Sequence, residues 1–136
     1  MSGILFVISA PSGTGKSTVA ARLLESVRAG RVTIPRGRVR YTNRIHRDDA
    51  AGALAHLAGL DEVPPVVLGV DDEPAERGDV LRWLARALGA PAPREVEPEP
   101  GVPDRGKRCR NALLRSTGYA LRYPTFREGY GAVLRG

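Results

Sequence analysis

Near the start of the sequence, a glycine-rich loop lies between an apolar run and a helical pattern. Residues 4–8 are continuously apolar, which predicts a buried parallel strand. The loop at residues 10–17 matches the pattern G-x-x-x-x-G-K-[ST] at seven of eight positions, with Ala10 in place of the first glycine. Residues 18–27 carry apolar side chains at helical spacing. This order predicts a strand–loop–helix unit that binds phosphate groups through backbone amides and a helix N-terminus.

The loop predicts a site for ATP with Mg²⁺. Gly13 and Gly15 permit backbone angles that turn successive N–H groups toward phosphate oxygens. Lys16 is the expected catalytic residue, since its ammonium would reach the β- and γ-phosphates. Ser17, together with Asp71 at the end of a later apolar run, is expected to bind the metal. The predicted cofactor-binding set is Ser12, Gly13, Thr14, Gly15, Lys16, Ser17 and Thr18.

Residues 1–26 resemble the opening of guanylate kinase, on the run Ser-Gly-Ile-Leu-Phe-Val-Ile-Ser-Ala-Pro-Ser-Gly-Thr-Gly-Lys-Ser-Thr at residues 2–18. The resemblance implies phosphoryl transfer from MgATP to GMP and explains Ala10 as a family variant. The Thr-Thr-Arg and Arg-x-Gly-Glu segments that hold GMP in that family are not found. Residues 41–44 and 127–130 match them in composition only. We therefore expect a catalytically incomplete protein; an active form would be a P-loop kinase or NTPase, a transferase.

Residues 27–135 resemble another family, the extended short-chain dehydrogenase/reductases of the NAD-dependent epimerase/dehydratase type. This resemblance implies the C-terminal, substrate-side lobe of such an enzyme. The chain contains neither the fingerprint G-x-x-G-x-x-G nor the pair Tyr-x-x-x-Lys, so the lobe is expected to be non-catalytic by itself. The likeness rests on four segments in family order: Asn-Arg-Ile-His-Arg-Asp-Asp-Ala-Ala at 43–51, Gly-Val-Asp-Asp-Glu-Pro at 69–74, Lys-Arg-Cys-Arg-Asn-Ala-Leu-Leu at 107–114 and Leu-Arg-Tyr-Pro-Thr-Phe-Arg-Glu-Gly at 121–129.

The predicted fold is α/β, a small mostly parallel sheet flanked by helices, with the P-loop strand–loop–helix at the N-terminus. Residues 1–27 form the expected P-loop unit, and residues 28–136 form the α/β lobe. Residues 66–70 are a second predicted buried strand. A short strand is expected within the connector at 29–41, and an extended segment at 90–106. The apolar periodicity predicts helices at 17–27, 48–59, 75–88, 111–116 and 125–134.

Charge and composition narrow the expected partners. The net charge is +6, and residues 28–47 hold seven arginines and no acid. Basic blocks bind nucleic acid, but only 5% of the residues are aromatic, which leaves few platforms for base stacking. We therefore expect a nucleotide rather than a nucleic acid as partner, and oligomerisation is left open. The single cysteine and the lack of a long apolar run predict a cytoplasmic protein without a membrane partner.

Several polar residues have a structural and a functional interpretation. Asp71 is an expected Mg²⁺ ligand, or it caps, with Asp72, a helix that begins near Ala75. His46 is a proton shuttle or metal ligand, or a strand-end histidine followed by Asp48 or Asp49 as the N-cap of the next helix. Cys109 lies between two arginines, which favours a reactive thiol, but no partner histidine is evident. The structural interpretation is the simpler one in each case, and it extends to the arginines of the basic connector, which include Arg40, Arg44 and Arg47.

Three functional hypotheses follow from these patterns. The first is ATP binding through the P-loop with little or no transferase activity. The second, its alternative, is a non-catalytic substrate-side lobe of an NAD(P)-dependent epimerase/reductase-like protein, with a vestigial P-loop. The third is a small kinase or NTPase that uses Lys16 and Asp71.

Overall fold

The computed structural model describes residues 16–101 and 106–136, with side chains from residue 20 onward. This part of the chain contains five helices and four short strands. In chain order they are α1 Lys16–Arg28, β1 Thr33–Pro35, β2 Tyr41–Thr42, α2 Arg47–Ala58, β3 Ala75–Glu76, α3 Arg77–Ala87, β4 Arg94–Val96, α4 Ala112–Ser116 and α5 Phe126–Arg135.

The strands form two separate pairs. Strands β1 and β4 are parallel, with Thr33 opposite Arg94. Strands β2 and β3 are antiparallel, with Tyr41 opposite Glu76, and the hydroxyl of Thr42 donates to the carbonyl of residue 75 at 3.2 Å. The α/β class with a small parallel sheet and flanking helices is confirmed, and the antiparallel pair adds to it. The predicted N-terminal strand and most of its loop lie outside the described residues.

The larger hydrophobic core lies between α1, α3, β1 and the start of α5. Helix α3 is amphipathic, as its sequence period predicts, and its apolar face packs on α1. Trp83 meets Phe126 edge to face, with ring centroids 5.7 Å apart. Each large side chain buried here contributes about 1.5–3 kcal/mol relative to exposure. The buried members are Leu24, Val27, Val32, Ile34, Ala75, Val80, Leu81, Leu84, Ala85 and Phe126.

A smaller core lies between α2 and α4. Ala53 and Leu57 of α2 pack on Leu114 of α4, which is 1% exposed. Tyr119 covers this cluster from the side. A Cβ at Gly52 would lie 2.5 Å from the hydroxyl of Tyr119, so any other residue there would have to displace the end of the tyrosine side chain.

The helix boundaries agree with the sequence pattern, but two of the predicted caps are wrong. His46, rather than Asp48 or Asp49, is the N-cap of α2, and its ring accepts from the N–H of Asp48. Helix α3 is capped by Glu76, whose carboxylate accepts from Asp79 N–H at 3.0 Å, rather than by Asp71 or Asp72. In both cases the helix begins after a residue other than the expected aspartate, so the aspartate carboxylates can accept hydrogen bonds elsewhere.

The predicted strand at residues 66–70 is also wrong. Val66 is 72% exposed and Leu68 is 49% exposed, and no strand lies beside this segment in the described part of the chain. Val67 alone of the three turns inward, onto the smaller core. A buried parallel strand needs hydrogen-bonded neighbours and covered faces, and an apolar run cannot show whether the fold supplies them.

Candidate functional site

Two of the four family-like segments, residues 43–51 and 121–129, meet at buried Asp49 in the first turn of α2. This residue is 1% exposed, and its carboxylate accepts from three donors. The N–H groups of Arg122 and Tyr123 donate at 2.8 Å each, and the hydroxyl of Tyr119 donates at 2.9 Å. Charge-assisted bonds of this kind are about twice as strong as neutral ones. We call Asp49, Tyr119, Arg122 and Tyr123 the Asp49 cluster; it ties α2 to the segment before α5.

Tyr119 carries the electrostatic signature of this contact. Burial and the hydrogen bond to Asp49 both raise the pKa of its hydroxyl, burial being the larger cause. The phenol therefore stays protonated and serves as a donor rather than as a base. Its role in this arrangement is to hold the carboxylate in place.

His46 lies against the same cluster. Its side chain is 8% exposed, and its ring lies 3.9 Å, centroid to centroid, from the ring of Tyr123. Because Nδ1 accepts from Asp48 N–H at 3.2 Å, the neutral ring carries its proton on Nε2. Within the described ranges, no three His, Cys, Asp or Glu side chains are arranged to hold a metal ion. The strand-end interpretation is corrected to a helix cap, which is a structural role.

Asp71 and Asp72 lie at the other end of the same network, with different partners. Asn111, itself 8% exposed, donates from Nδ2 to Asp72 Oδ1 at 2.7 Å and to the carbonyl of Val70 at 3.1 Å. Asp72 Oδ2 is 3.3 Å from Arg115. These contacts fix α4 to the loop before α3, so Asp72 is a structural residue.

Asp71 is 3% exposed, and its buried carboxyl group has few described hydrogen-bond donors to replace water. Its Oδ1 accepts from the N–H of Glu73 at 3.1 Å, and its own N–H donates to the carbonyl of Arg44 at 2.6 Å. Burial raises the pKa of Asp71 to about 6, against the opposing effects of the Glu73 N–H bond and the Arg44 charge. A carboxyl that titrates near neutral pH is a feature shared by acid–base groups and by strained structural ones.

Asn43, which directly follows β2, holds residues 107–109 through its side-chain amide. Asn43 donates from Nδ2 to the carbonyl of Lys107 at 2.7 Å and accepts at Oδ1 from Cys109 N–H at 2.9 Å. At Gly106 the φ is +138°, and a Cβ would lie 2.2 Å from the carbonyl oxygen of Tyr41. Cys109 therefore takes part in a structural contact through its backbone. Within the described residues, no contact indicates a catalytic role for its partly buried thiol.

An open cleft of about 400 Å³ lies beside the Asp49 cluster, along α5. Two lining residues, Arg122 and Tyr123, belong to the cluster, and three belong to α5. Positive side chains predominate. The lining residues are Arg122, Tyr123, Arg127, Glu128 and Arg135.

The predicted P-loop residues are only partly visible. Ser12, Gly13, Thr14 and Gly15 lie outside the described residues. Lys16, Ser17 and Thr18 begin α1, but their side chains are not described, so their individual roles stay predictions. Asp71 is the single predicted site residue with a described side chain, and its oxygen accepts from a backbone N–H.

Two of the three similar proteins are named as an epimerase/dehydratase or a reductase. No family model matches the chain. A solved structure from Methylobacillus flagellatus, assigned as an NAD-dependent epimerase/dehydratase, is similar over 87% of this chain, with 35% identity and a TM-score of 0.68. A conserved protein of unknown function from Silicibacter pomeroyi is similar over 76%, with 29% identity and a TM-score of 0.64. The 3-diazoavenalumate denitrifying reductase of Streptomyces is 39% identical over 84 residues, 62% of this chain.

The chain spans less than half of each relative. It covers 42% of the Methylobacillus chain, 39% of the Silicibacter chain and 27% of the Streptomyces reductase. No helix in the part of the chain that the structure describes is long and apolar enough to cross a bilayer. A cytoplasmic location stays a prediction.

These relatives correct the main functional hypothesis. ATP binding through a guanylate-kinase-like P-loop is wrong as the function of the chain, because its relatives are of the epimerase and reductase type. The expected cofactors ATP and Mg²⁺ are wrong for the same reason, since an NAD-dependent relative implies NAD(P). The alternative hypothesis is the one that the relatives favour.

Most of the residues that organise the site were not predicted from the sequence. Asp49 was assigned as a cap, and no role was assigned to Tyr119, Arg122, Tyr123 or Asn111. The signal was present in the order of the four family-like segments, but their hydrogen bonds join residues 27–74 positions apart. Over most of its length, this chain is similar to one part of an NAD-dependent epimerase/dehydratase-type protein.

Proposed function

We propose that residues 28–136 form the C-terminal, substrate-side lobe of an NAD(P)-dependent epimerase/reductase-like protein, and that this chain by itself transfers no hydride. The observation that carries the proposal is the likeness to the Methylobacillus structure, at 35% identity and a TM-score of 0.68 over 87% of the chain. Such identity with such coverage is more than a shared fold class requires. The 42% coverage of that relative supports a partial rather than a whole enzyme.

The internal contacts support the same proposal. All four family-like segments take part in the hydrogen-bond network, through Asp49, Asp72, Asn111 and Tyr123. Side chains in a buried network of this kind have to be partnered together, because a half-satisfied network is destabilising. The motif residues therefore form one folded unit in which the segments depend on one another.

The residues that the structure describes, 16–101 and 106–136, do not fit an NAD(P) site. A dinucleotide loop needs glycines at the turn that opens a helix after a strand. In the described residues, the glycines with positive φ near helices, Gly30, Gly89 and Gly118, all follow helix ends instead. The sequence has no G-x-x-G-x-x-G and no Tyr-x-x-x-Lys. We therefore derive no hydride-transfer step from these residues and expect the chain alone to bind neither NAD(P)H nor ATP with Mg²⁺.

A segment swap tests the proposal directly. The 84-residue segment of the Streptomyces reductase that aligns with this chain is replaced by the segment from this chain. We expect a folded chimaera that consumes 3-diazoavenalumate within about tenfold of the parent kcat/KM, a loss of about 1.4 kcal/mol. The parent reductase and a variant lacking the segment are the controls.

Two outcomes contradict the proposal. A chimaera that unfolds cooperatively yet consumes no 3-diazoavenalumate would show that the segments are not functionally equivalent. A chimaera without a cooperative transition would show that they are not structurally equivalent. Titration of the isolated chain with NADPH, followed by calorimetry, adds a second check: saturable binding would contradict the view that this chain lacks the cofactor site.

A further inference from the structure

The cleft along α5 has walls that are held in place before any ligand arrives. The backbone of Arg122 and Tyr123 is bonded to Asp49, and the ring of Tyr123 lies against His46. Helix α5 is anchored by Phe126, which is 2% exposed, and begins with a capping box. Positions 128 and 135 of α5 lie two turns apart on one face, so the cleft follows roughly 10 Å of the helix.

The charges lining the cleft are not equally available. Arg127 is paired with Glu73 at 2.7 Å. Glu128 accepts from the N–H and the hydroxyl of Thr125, and the hydroxyl bond is the main reason why the pKa of this carboxyl is lowered. The one acid of the lining is therefore occupied by the helix cap.

Two arginines remain for a ligand. Arg122 and Arg135 are exposed and form no ion pair with any acid in the described ranges. The guanidinium group presents several donors in a planar fork that fits a carboxylate or phosphate. The Tyr123 ring supplies an apolar wall between the cluster and the cleft.

We propose that this cleft binds the oxyanion group of a substrate, a carboxylate or a phosphate, through Arg122 and Arg135. The inference rests on the proposed substrate-side role and names the substrate class for it. It agrees with the substrate in the name of the Streptomyces reductase, 3-diazoavenalumate, which is a carboxylate. The tyrosine wall favours an aromatic acid over a small inorganic ion.

Direct binding to the full chain tests the inference without any need for turnover. Cinnamate, its neutral analogue cinnamamide and inorganic phosphate are titrated separately, with calorimetry and the fluorescence of Trp83 as readouts. Trp83 is the one tryptophan of the chain and contacts Phe126, which lies under the guanidinium of Arg127. We expect saturable cinnamate binding and at least about tenfold weaker binding of cinnamamide, because the amide lacks the charge.

The variants separate a built site from general attraction. The double substitution Arg122→Gln with Arg135→Gln keeps the backbone N–H that Asp49 requires, and should weaken cinnamate binding at least about tenfold. Arg86→Gln is the matched control, since Arg86 is also an exposed arginine near a helix C-terminus, and should leave binding unchanged. If the double variant loses its cooperative melt, Arg135→Gln alone serves, with a severalfold effect expected.

The binding results distinguish phosphorylated substrates from aromatic acids and can also overturn the inference. Phosphate binding as tight as that of cinnamate supports an oxyanion site and assigns it to phosphorylated substrates; cinnamate alone assigns it to aromatic acids. No binding of either anion, equal binding of cinnamamide, or an equal loss in Arg86→Gln would overturn the inference. If the segment-swap chimaera is active but this chain does not bind cinnamate, the inference about the cleft is wrong and the proposed function stands. If this chain binds cinnamate but the chimaera is inactive, the proposed function is wrong and the oxyanion site stands.

Discussion

Asp49 and Asp71 are both buried, at 1% and 3% exposed, but their carboxylates differ in the number of hydrogen-bond donors around them. Asp49 accepts from three donors and sits at the N-terminus of α2. The carboxylate of Asp71 has one described donor, the N–H of Glu73, and lies beside two further acids. The comparison shows that the number of donors, rather than burial, decides whether a buried carboxylate stabilises a fold.

The largest expected effect is the loss of Asp49. Asp49→Ala leaves three donors unpaired beside a buried gap, and should lower the free energy of unfolding by about 3–5 kcal/mol. Urea denaturation measures the change. Asp48→Ala is the matched control, because Asp48 is half-exposed and should change stability by less than about 1 kcal/mol. Equal effects of the two substitutions would contradict the assignment of Asp49 as the hub.

The opposite sign is expected at Asp71. The pKa is raised from 3.8 unfolded to about 6 folded, so the folded state binds more protons between these values and stability falls as pH rises through them. Asp71→Asn keeps an acceptor for Glu73 N–H and removes the buried charge. We expect the variant to be more stable than the wild type at pH 7.5, by up to about 3 kcal/mol.

At pH 4 the same variant should lose this advantage, because the wild-type carboxyl is then protonated in the folded state. Thermal unfolding of both chains at pH 4, 5, 6 and 7.5 measures the difference. A difference that does not vary with pH would show that Asp71 has an ordinary pKa. Glu95→Gln, at an exposed ion pair, is a control for general charge effects.

A smaller effect tests one donor of the Asp49 cluster. Tyr119→Phe removes the hydroxyl but retains the ring that packs on α2, and leaves two donors on the carboxylate. We expect a loss of about 1–2 kcal/mol in urea denaturation. Tyr123→Phe is the control, because Tyr123 donates through its backbone N–H and should change stability by less than about 0.5 kcal/mol. In the Asp49→Ala background, Tyr119→Phe should have little further effect.

The smallest effect is expected for an exposed carboxylate. Glu73 pairs with Arg127 at 2.7 Å, but both side chains are more than a third exposed. Glu73→Gln should therefore change the free energy of unfolding by about 0.5 kcal/mol or less, and less still at 0.5 M NaCl. A loss comparable to that of Tyr119→Phe would place this pair in the structural network with Asp49.

The helices were the predictable part of the fold. α3 and α5 have strong apolar periods and clear ends, and the structure places them within two residues of the predicted bounds. The apolar run at residues 66–70 was predicted as a strand and is wrong, because strand formation depends on neighbours that local sequence does not reveal. The glycine-rich loop led to the wrong function and cofactors, since a local motif carries no information about the protein around it.

The helices, the α/β class and the likeness of residues 27–135 to an epimerase-type lobe could all be recognised without a structure, because they depend on local periodicity and on the order of segments. Tertiary structure alone decided which aspartate became the hub. Asp49 follows Asp48, and Asp71 precedes Asp72, so their local patterns are similar. Only packing brings three donors from residues 119–123 to Asp49. Hydrogen bonds between segments that lie far apart in the chain depend on the folded arrangement, so no local pattern encodes them.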